Sequence, residues 1–332
     1  MTPTSPGELE LVIPATAEHD GEDHDHQHDT ERLDKLALSW PARAGVCRAD
    51  LDPGVAYDDA KPDFLAELLP FHDHPIFLRA PERYRQAVLS CGWLAYNEKT
   101  VAIESKIVSP ACMHLIDGEV AGFPRHRYTE AVSQALVDES YHILLVLQAN
   151  GVTRRHRGLT ELHIPSFELV TNMRRHQEQF PERWRKILIQ LATAVVSEVL
   201  VSDYLRLLSG AYDIQPLNRI TTEIHRRDES AHNGLFKSLG AIIYHGLSRR
   251  EKEFFVRALL EPSIWFASPE LDVWESLLLQ IGFPGAERMI RDCRAQRRVR
   301  DSRLDLSTLE TLLADLGVEN RLRSLVENER GG

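Results

Sequence analysis

The chain has 332 residues and a formal net charge of −11, which argues against a nucleic-acid backbone or an anionic membrane as its main partner. A hydrophobic share of 43% with 27% charged residues is that of a water-soluble globular protein, with no run that reads as a membrane span and no basic-then-apolar leader pattern. Cys47, Cys91, Cys112 and Cys293 form no C-x-x-C pair, so free thiols in a cytoplasmic protein are expected.

Residues 1 to about 35 are polar and acidic and include the tract His24-Asp25-His26-Gln27-His28-Asp29. They read as a disordered tail, either simply solvated or loosely holding a divalent cation. From Trp40 to Ala80 the prolines at 41, 53, 62, 70 and 75 predict an irregular segment wrapped on the body, with no long helix. Pro81-Glu82 opens a helix expected to stop near Val108, ahead of Pro110. A second starts at Pro124, with Asn150-Gly151 as its expected left-handed stop. A shorter one covers about 166–179.

Pro181-Glu182 opens a third long helix closed by Gly210, and Pro216 a fourth that ends by Gly246. Ser248 with Glu251 three residues on is a capping-box start for a helix bent at Pro262. Further helices are expected at 269–281, 284–298 and 306–316, before a polar tail at 321–332. The reading is all-α: one domain over 36–320, with four long helices as its core and extra helices after them.

The long helices carry acids on apolar faces. Glu104 shares its face with Val101, Ile107, Val108 and Ala111; Glu198 shares its own with Leu191, Ala194, Val195, Val201 and Leu205. An ionised carboxylate there costs several kcal/mol unless it is paired or binds a metal. The other two long helices carry Glu139-x-x-His142 and Glu229-x-x-His232. The order Glu, Glu-x-x-His, Glu, Glu-x-x-His on four helices matches the inward-facing ligands of ferritin-like two-metal bundles.

His225 lies one turn before Glu229 on the same stripe and can add a third imidazole; alternatively it is a core histidine bonded to a carbonyl. Asp138 and Asp228 immediately precede the two paired glutamates. Each is expected either to accept the free ring N–H of a ligand histidine on the opposite helix, or to be an exposed acid. Carboxylate-rich sites with a few imidazoles suit iron or manganese.

The stretches Tyr96–Glu104 (YNEKTVAIE), Gln134–His142 (QALVDESYH) and Ile224–His232 (IHRRDESAH) resemble the di-iron N-oxygenases typified by p-aminobenzoate N-oxygenase. Trp40–Val46 and Pro70–Leu78 resemble the N-terminal segment of the same family. The resemblance implies a homodimer of ferritin-like subunits with two irons held by Glu104, Glu139, His142, Glu198, His225, Glu229 and His232. It also implies oxidation of a primary amine, usually aromatic, through hydroxylamine and nitroso stages toward nitro.

In that family a Tyr and an Arg three residues later are associated with a substrate carboxylate. Tyr96 is kept here, but Lys99 replaces the Arg, and a lysine lacks the planar two-pronged donor. The pair is read either as substrate-binding or as core packing with an exposed lysine.

The expected chemistry is O₂-dependent N-oxygenation through a peroxo-diferric species. With no flavin or nicotinamide fingerprint, electrons would come from a ferredoxin or flavoprotein reductase. An arylamine is neutral at working pH and needs no base, which favours it over an alkylamine. Oxidation of an aliphatic or amino-acid-derived amine, C–H hydroxylation on the same scaffold, and a metal-storage bundle without turnover remain the alternatives.

Overall fold

A computed structural model describes residues 22–48, 57–295 and a short piece between 310 and 316. No strand occurs among them: the chain is an all-α, ferritin-like bundle with additional helices. Its helices are α1 (Glu22–Arg43), α2 (Pro75–Leu78), α3 (Glu82–Ile103), α4 (Ser109–Ile116), α5 (Arg125–Arg157), α6 (Glu168–Glu178), α7 (Arg183–Leu200), α8 (Ser202–Ser209), α9 (Pro216–Gly246), α10 (Arg249–Phe266), α11 (Leu271–Gln280) and α12 (Ala286–Ala295). The bundle core is α3 continued by α4, α5, α7 continued by α8, and α9. Outside it, α10 packs on α7, and α11 pairs with α12. The expected tail at 321–332 lies outside the described residues, and the helix expected over 306–316 lies only partly within them.

Four boundaries differ from the sequence expectations, each for a local reason. The stretch read as tail up to residue 35 is helical from Glu22 onward. Its charge masks a narrow apolar stripe: Leu33 is buried in the core, Leu36 and Ala37 pack against it, and Thr30 shares a 2.8 Å hydrogen bond with the Tyr128 hydroxyl. That stripe seats α1 on α5 and α9. The side chains of most of the His24–Asp29 tract lie outside the described residues, as do residues 1–21.

The first bundle helix does not stop before Pro110. It passes through a π-helical turn, Glu104–Val108, and continues as α4 with Pro110 in its first turn. Proline has no N–H for the carbonyls behind it. Gln190 of α7 takes over, its Nε2 donating to the carbonyls of Lys106 (2.9 Å) and Ile107 (2.7 Å).

The second bundle helix runs past Asn150-Gly151 to Arg157 and closes at Gly158, whose φ is 67°. Asn150 is buried and used sideways: its Oδ1 accepts from Asn97 Nδ2 of α3 at 2.8 Å, which ties two bundle helices together. The third difference in length is small, a break at Val201 that separates α7 from α8.

The segment Arg183–Ser209 contains an 18-residue window long and apolar enough by composition to cross a membrane, so the sequence reading that no run qualifies is corrected. In the fold, however, 82% of that window is buried, and every residue from Ile187 to Leu200 faces protein. A helix apolar all round suits the centre of a large bundle as well as a bilayer.

Two contacts give direct tests of the packing. Gly122, at φ 72°, lies backbone to backbone on the end of α9, and a Cβ there would meet the Gly246 carbonyl oxygen at 2.1 Å. Gly122→Ala is expected to cost about 2–4 kcal/mol, combining a left-handed strain with a clash against main chain, and to lower Tm by several degrees. Among the thiols, Cys47 is exposed while Cys91 and Cys112 are fully buried. Burial pushes the Cys91 thiol up to about 12 and Cys112 upward as well. A thiol reagent followed by mass spectrometry should therefore modify Cys47 in the native protein, and Cys91 and Cys112 only after unfolding.

Candidate metal centre

Each bundle helix sends its acid to one place. Glu104 comes from the π-helical turn that ends α3, Glu139 and His142 from α5, Glu198 from α7, and His225, Glu229 and His232 from α9. All seven side chains are buried. On α5 and α9 the i, i+3 spacing stacks a carboxylate above an imidazole on the inward stripe. At Glu104 the π turn sets the direction of the side chain, a distortion common at functional positions.

The donor atoms fall into two overlapping groups. In the first are Glu104, His142, His225 and Glu229; in the second are Glu139, His142, Glu229 and His232, each with ligand atoms within 4.8 Å of one another. His225 Nε2 is 3.1 Å from both Glu104 Oε1 and Glu229 Oε1. His232 Nδ1 is 3.0 Å from Glu139 Oε1. Glu198 stands just outside both groups, its Oε2 3.7 Å from His232 Nδ1. Glu229 and His142 are thus the residues around which the two halves meet.

These atoms face a common interior more than they face each other. Glu104 Oε2, both oxygens of Glu139, Glu198 Oε2, Glu229 Oε2, and Nδ1 of His142 and His232 are buried without a hydrogen bond. The close approach of His232 Nδ1 to Glu139 is a matter of distance only, since the atoms are not aligned for donation. Each buried polar atom left unpaired costs roughly 1–3 kcal/mol, so five oxygens and two ring nitrogens in this state call for cations. The donor set of carboxylates and neutral imidazoles fits two divalent ions of the iron or manganese type.

The electrostatics agree. Burial pushes the Glu104 carboxyl up to about 7. Burial, reinforced by Glu229 and Glu139, raises Glu198 well above the carboxylate range. Burial acts the same way on Glu139 and Glu229, but His232 and the other imidazoles outweigh it and hold both acids low. His142 and His232 are raised well above the usual imidazole range despite burial, by Asp228 and Glu139 in one case and Glu139 and Glu229 in the other. The cluster gathers protons because it lacks positive charge, and metal ions would displace them.

Asp138 and Asp228 are fully buried, so neither is an exposed acid. They cross over between helices: His142 Nε2 of α5 lies 3.1 Å from Asp228 Oδ2 of α9, and His232 Nε2 of α9 lies 3.1 Å from Asp138 Oδ2 of α5. With Nε2 engaged, Nδ1 is the nitrogen that points into the cluster.

Two further residues, unassigned from the sequence, hold these aspartates. Trp40 Nε1 donates to both Asp138 oxygens at 2.9 Å, and the Gly45 N–H donates to both Asp228 oxygens at 3.0 and 3.1 Å. The available signal was the stretch Trp40–Val46, noticed only as part of a resemblance.

Next to the cluster lies a cavity of about 450 Å³, walled by Tyr96, Thr100 and Ile103 of α3, Val201 and Tyr204 beside α8, and the Phe266–Trp274 segment. The Tyr96 hydroxyl is buried without a hydrogen bond. Burial, with Glu229 and Glu104 adding, raises its pKa and keeps it neutral. Lys99 also faces this cavity, where it is paired with Glu270.

A ferritin-like bundle with a buried carboxylate and imidazole cluster able to hold metal defines a helical metalloenzyme. The sequence matches the family described as p-aminobenzoate N-oxygenase AurF over residues 26–317. It is 33% identical over 295 residues to the 4-aminobenzoate N-oxygenase of Streptomyces thioluteus, with 87% of each chain covered. The chain belongs to the AurF N-oxygenase family and is an oxidoreductase.

Proposed function

We propose that the protein is a non-haem di-iron monooxygenase that oxidises a primary arylamine at nitrogen, through hydroxylamine and nitroso stages toward nitro. The observation that carries this reading is the set of seven unpaired donor atoms enclosed by four helices, in a chain one-third identical to a 4-aminobenzoate N-oxygenase. Glu104, His142, His225 and Glu229 would hold one iron, and Glu139, His232, Glu198 and Glu229 the other. When bound, the iron pair supplies the redox chemistry that activates O₂.

The chain's own residues do the rest. Asp138 and Asp228 hold the ring N–H of the two crossed histidines, which fixes the tautomer and makes Nδ1 the better donor. Apolar side chains of Ile103, Val201 and Phe266 on the cavity wall would help keep bulk water from the reacting nitrogen. The first oxidation converts R–NH₂, O₂, two electrons and two protons into R–NHOH and water. The electrons would come from a ferredoxin or a flavoprotein reductase. An arylamine arrives neutral with its lone pair available, so no base is needed to prepare it.

Loading the protein anaerobically with ferrous iron and mixing it with ¹⁸O₂, a reductant and panels of aryl- and alkylamines tests the reading. The expected product is an arylamine derivative carrying ¹⁸O on nitrogen. Oxygen on carbon, oxidation confined to alkylamines, or iron oxidation without any amine product would overturn it.

Exposed apolar side chains support the homodimer that the resemblance implies. Val137, Leu144 and Leu147 leave 44%, 53% and 43% of their surface exposed along one side of α5, an apolar stripe of the kind that marks an interface. Leu144→Asp is expected to shift sedimentation from a dimer to a monomer. A cytoplasmic location is in keeping with the four free thiols.

A further inference from the structure

The cavity beside the cluster has one polar landmark that the proposed chemistry does not use. Lys99 and Glu270 face each other on its wall as an ion pair, Nζ 2.9 Å from Oε1, with no aligned hydrogen bond between them. The pair is built into the fold. Glu270 is 6% exposed, and its other oxygen accepts the N–H of Glu168, the first residue of α6, at 2.8 Å. Its backbone sits at φ 52°, the one positive φ among described non-glycine residues. Lys99 Nζ also donates to the Phe266 carbonyl at 3.4 Å and lies 5.6 Å from the centre of the Phe266 ring.

Two consequences follow from charge and position. The ammonium of Lys99 is already neutralised, so it offers little to an anion from outside. Among the described lining residues the acids are Glu67, Asp73 and Glu270, the one lysine or arginine is Lys99, and the histidines are His72 and His74, the latter 3.5 Å from Asp292. A carboxylate brought to this wall would lose its water and meet a paired cation and further carboxylates, an arrangement that rejects anions. Along α3, Lys99 is five residues before Glu104, roughly 7.5 Å of helix rise. None of the seven cluster residues lines the cavity, so an amine reaching the cluster from it leaves the rest of its body between walls that include the Lys99–Glu270 pair.

Resting on the N-oxygenase reading, we infer that this pocket selects an amine whose far end carries no negative charge, and that Glu270 sets this preference by occupying Lys99. An uncharged hydrogen-bonding group can accept from Lys99 or donate to Glu270 without breaking the pair. Glu270 is thus a specificity residue, distinct from the groups that hold metal.

The test compares 4-aminobenzamide with 4-aminobenzoate, which match in shape and differ in charge, by calorimetric titration of the iron-loaded protein without reductant. The amide should bind at least tenfold more tightly. In Glu270→Gln the side-chain carbonyl can still accept from Glu168 while Lys99 is released, and the benzoate should then gain at least tenfold relative to the amide. The double variant Lys99→Met/Glu270→Gln should show no such gain, which assigns the effect to the freed ammonium.

Equal or tighter benzoate binding by the wild type overturns the inference, whatever the variants do. So does an unchanged ratio in a folded Glu270→Gln protein. Because binding is read without turnover, the two readings separate. Amide preference with no N-oxidation of either amine would remove the oxygenase assignment and leave the selectivity, and N-oxidation with benzoate preferred would do the reverse.

Discussion

Replacing Glu198 by Gln is expected to leave the metal-free fold at least as stable as the wild type while stripping the protein of tightly held iron and of turnover. Glu198 is 2% exposed, and burial with the neighbouring Glu229 and Glu139 raises its pKa well above the ordinary 4.5. In the metal-free protein it therefore keeps its proton to a higher pH than it does in the unfolded chain. A raised folded-state pKa contributes stability that is fully present below pH 4.5 and is lost as pH rises toward the folded value. Glutamine imitates the protonated acid and removes that loss, so the metal-free variant should gain on the wild type between acid and neutral pH.

Iron binding reverses the comparison, since the metal needs the ionised oxygen that glutamine lacks. The loss of affinity should exceed the roughly 10–100-fold associated with removing a hydrogen-bond partner of a ligand. Thermal melts with and without ferrous iron read both effects at once, because a bound ion raises Tm in proportion to the logarithm of its affinity. Iron content from elemental analysis and amine turnover complete the measurement. A variant that keeps about two irons per chain, or one destabilised even without metal, would show that Glu198 is a structural acid.

The seven side chains that converge were legible because an acid on an apolar helical face is a visible contradiction. The Glu-x-x-His spacing on α5 and α9 repeats that contradiction together with its natural partner. Local rules reach this far because the cluster is built from inward stripes of long helices, and a stripe is a property of spacing alone.

What escaped depends on contacts across the chain. Trp40 and Asp138 are 98 positions apart, and Gly45 and Asp228 are 183 apart. The stretch that supplies Trp40 and Gly45 straddles a helix end, so periodicity gives no hint of what its donors meet. The π turn at Glu104 escaped for a related reason. Its freed carbonyls are satisfied by Gln190, 84 and 83 positions away from Lys106 and Ile107, so Pro110 read alone signals a stop. Asn150 likewise reads as a terminator until Asn97 is placed beside it. The charge of Lys99 was visible from the outset; the Glu270 that occupies it was not, being 171 positions further on.

The N-terminal contacts carry the second large prediction. Trp40→Phe keeps the aromatic bulk and deletes one N–H, leaving Asp138 with His232 and a distant Arg43, whose Nη1 is 4.0 Å away. Gly45→Ala acts on the other half. An added Cβ would lie 2.9 Å from Asp228 Oδ2 and 3.0 Å from Tyr141 Cε1, so the aspartate must shift away from the N–H it accepts and from His142. In both variants a histidine that donates to the cluster through Nδ1 loses the fixed partner on Nε2. Iron affinity, measured by competition with a chelator, should fall about 10–100-fold, with Gly45→Ala the larger because it displaces the aspartate as well as weakening it.

The metal-free melting temperature should fall by a few degrees at most for Trp40→Phe, since a single hydrogen bond to a charged acceptor is worth about 1.5–3 kcal/mol. If Trp40→Phe lowers the metal-free Tm and leaves iron affinity untouched, the indole serves only to seat α1 on the bundle. If affinity falls while the metal-free Tm stays within those few degrees, the N-terminal segment is part of the metal centre, reaching it through the two aspartates that hold His142 and His232.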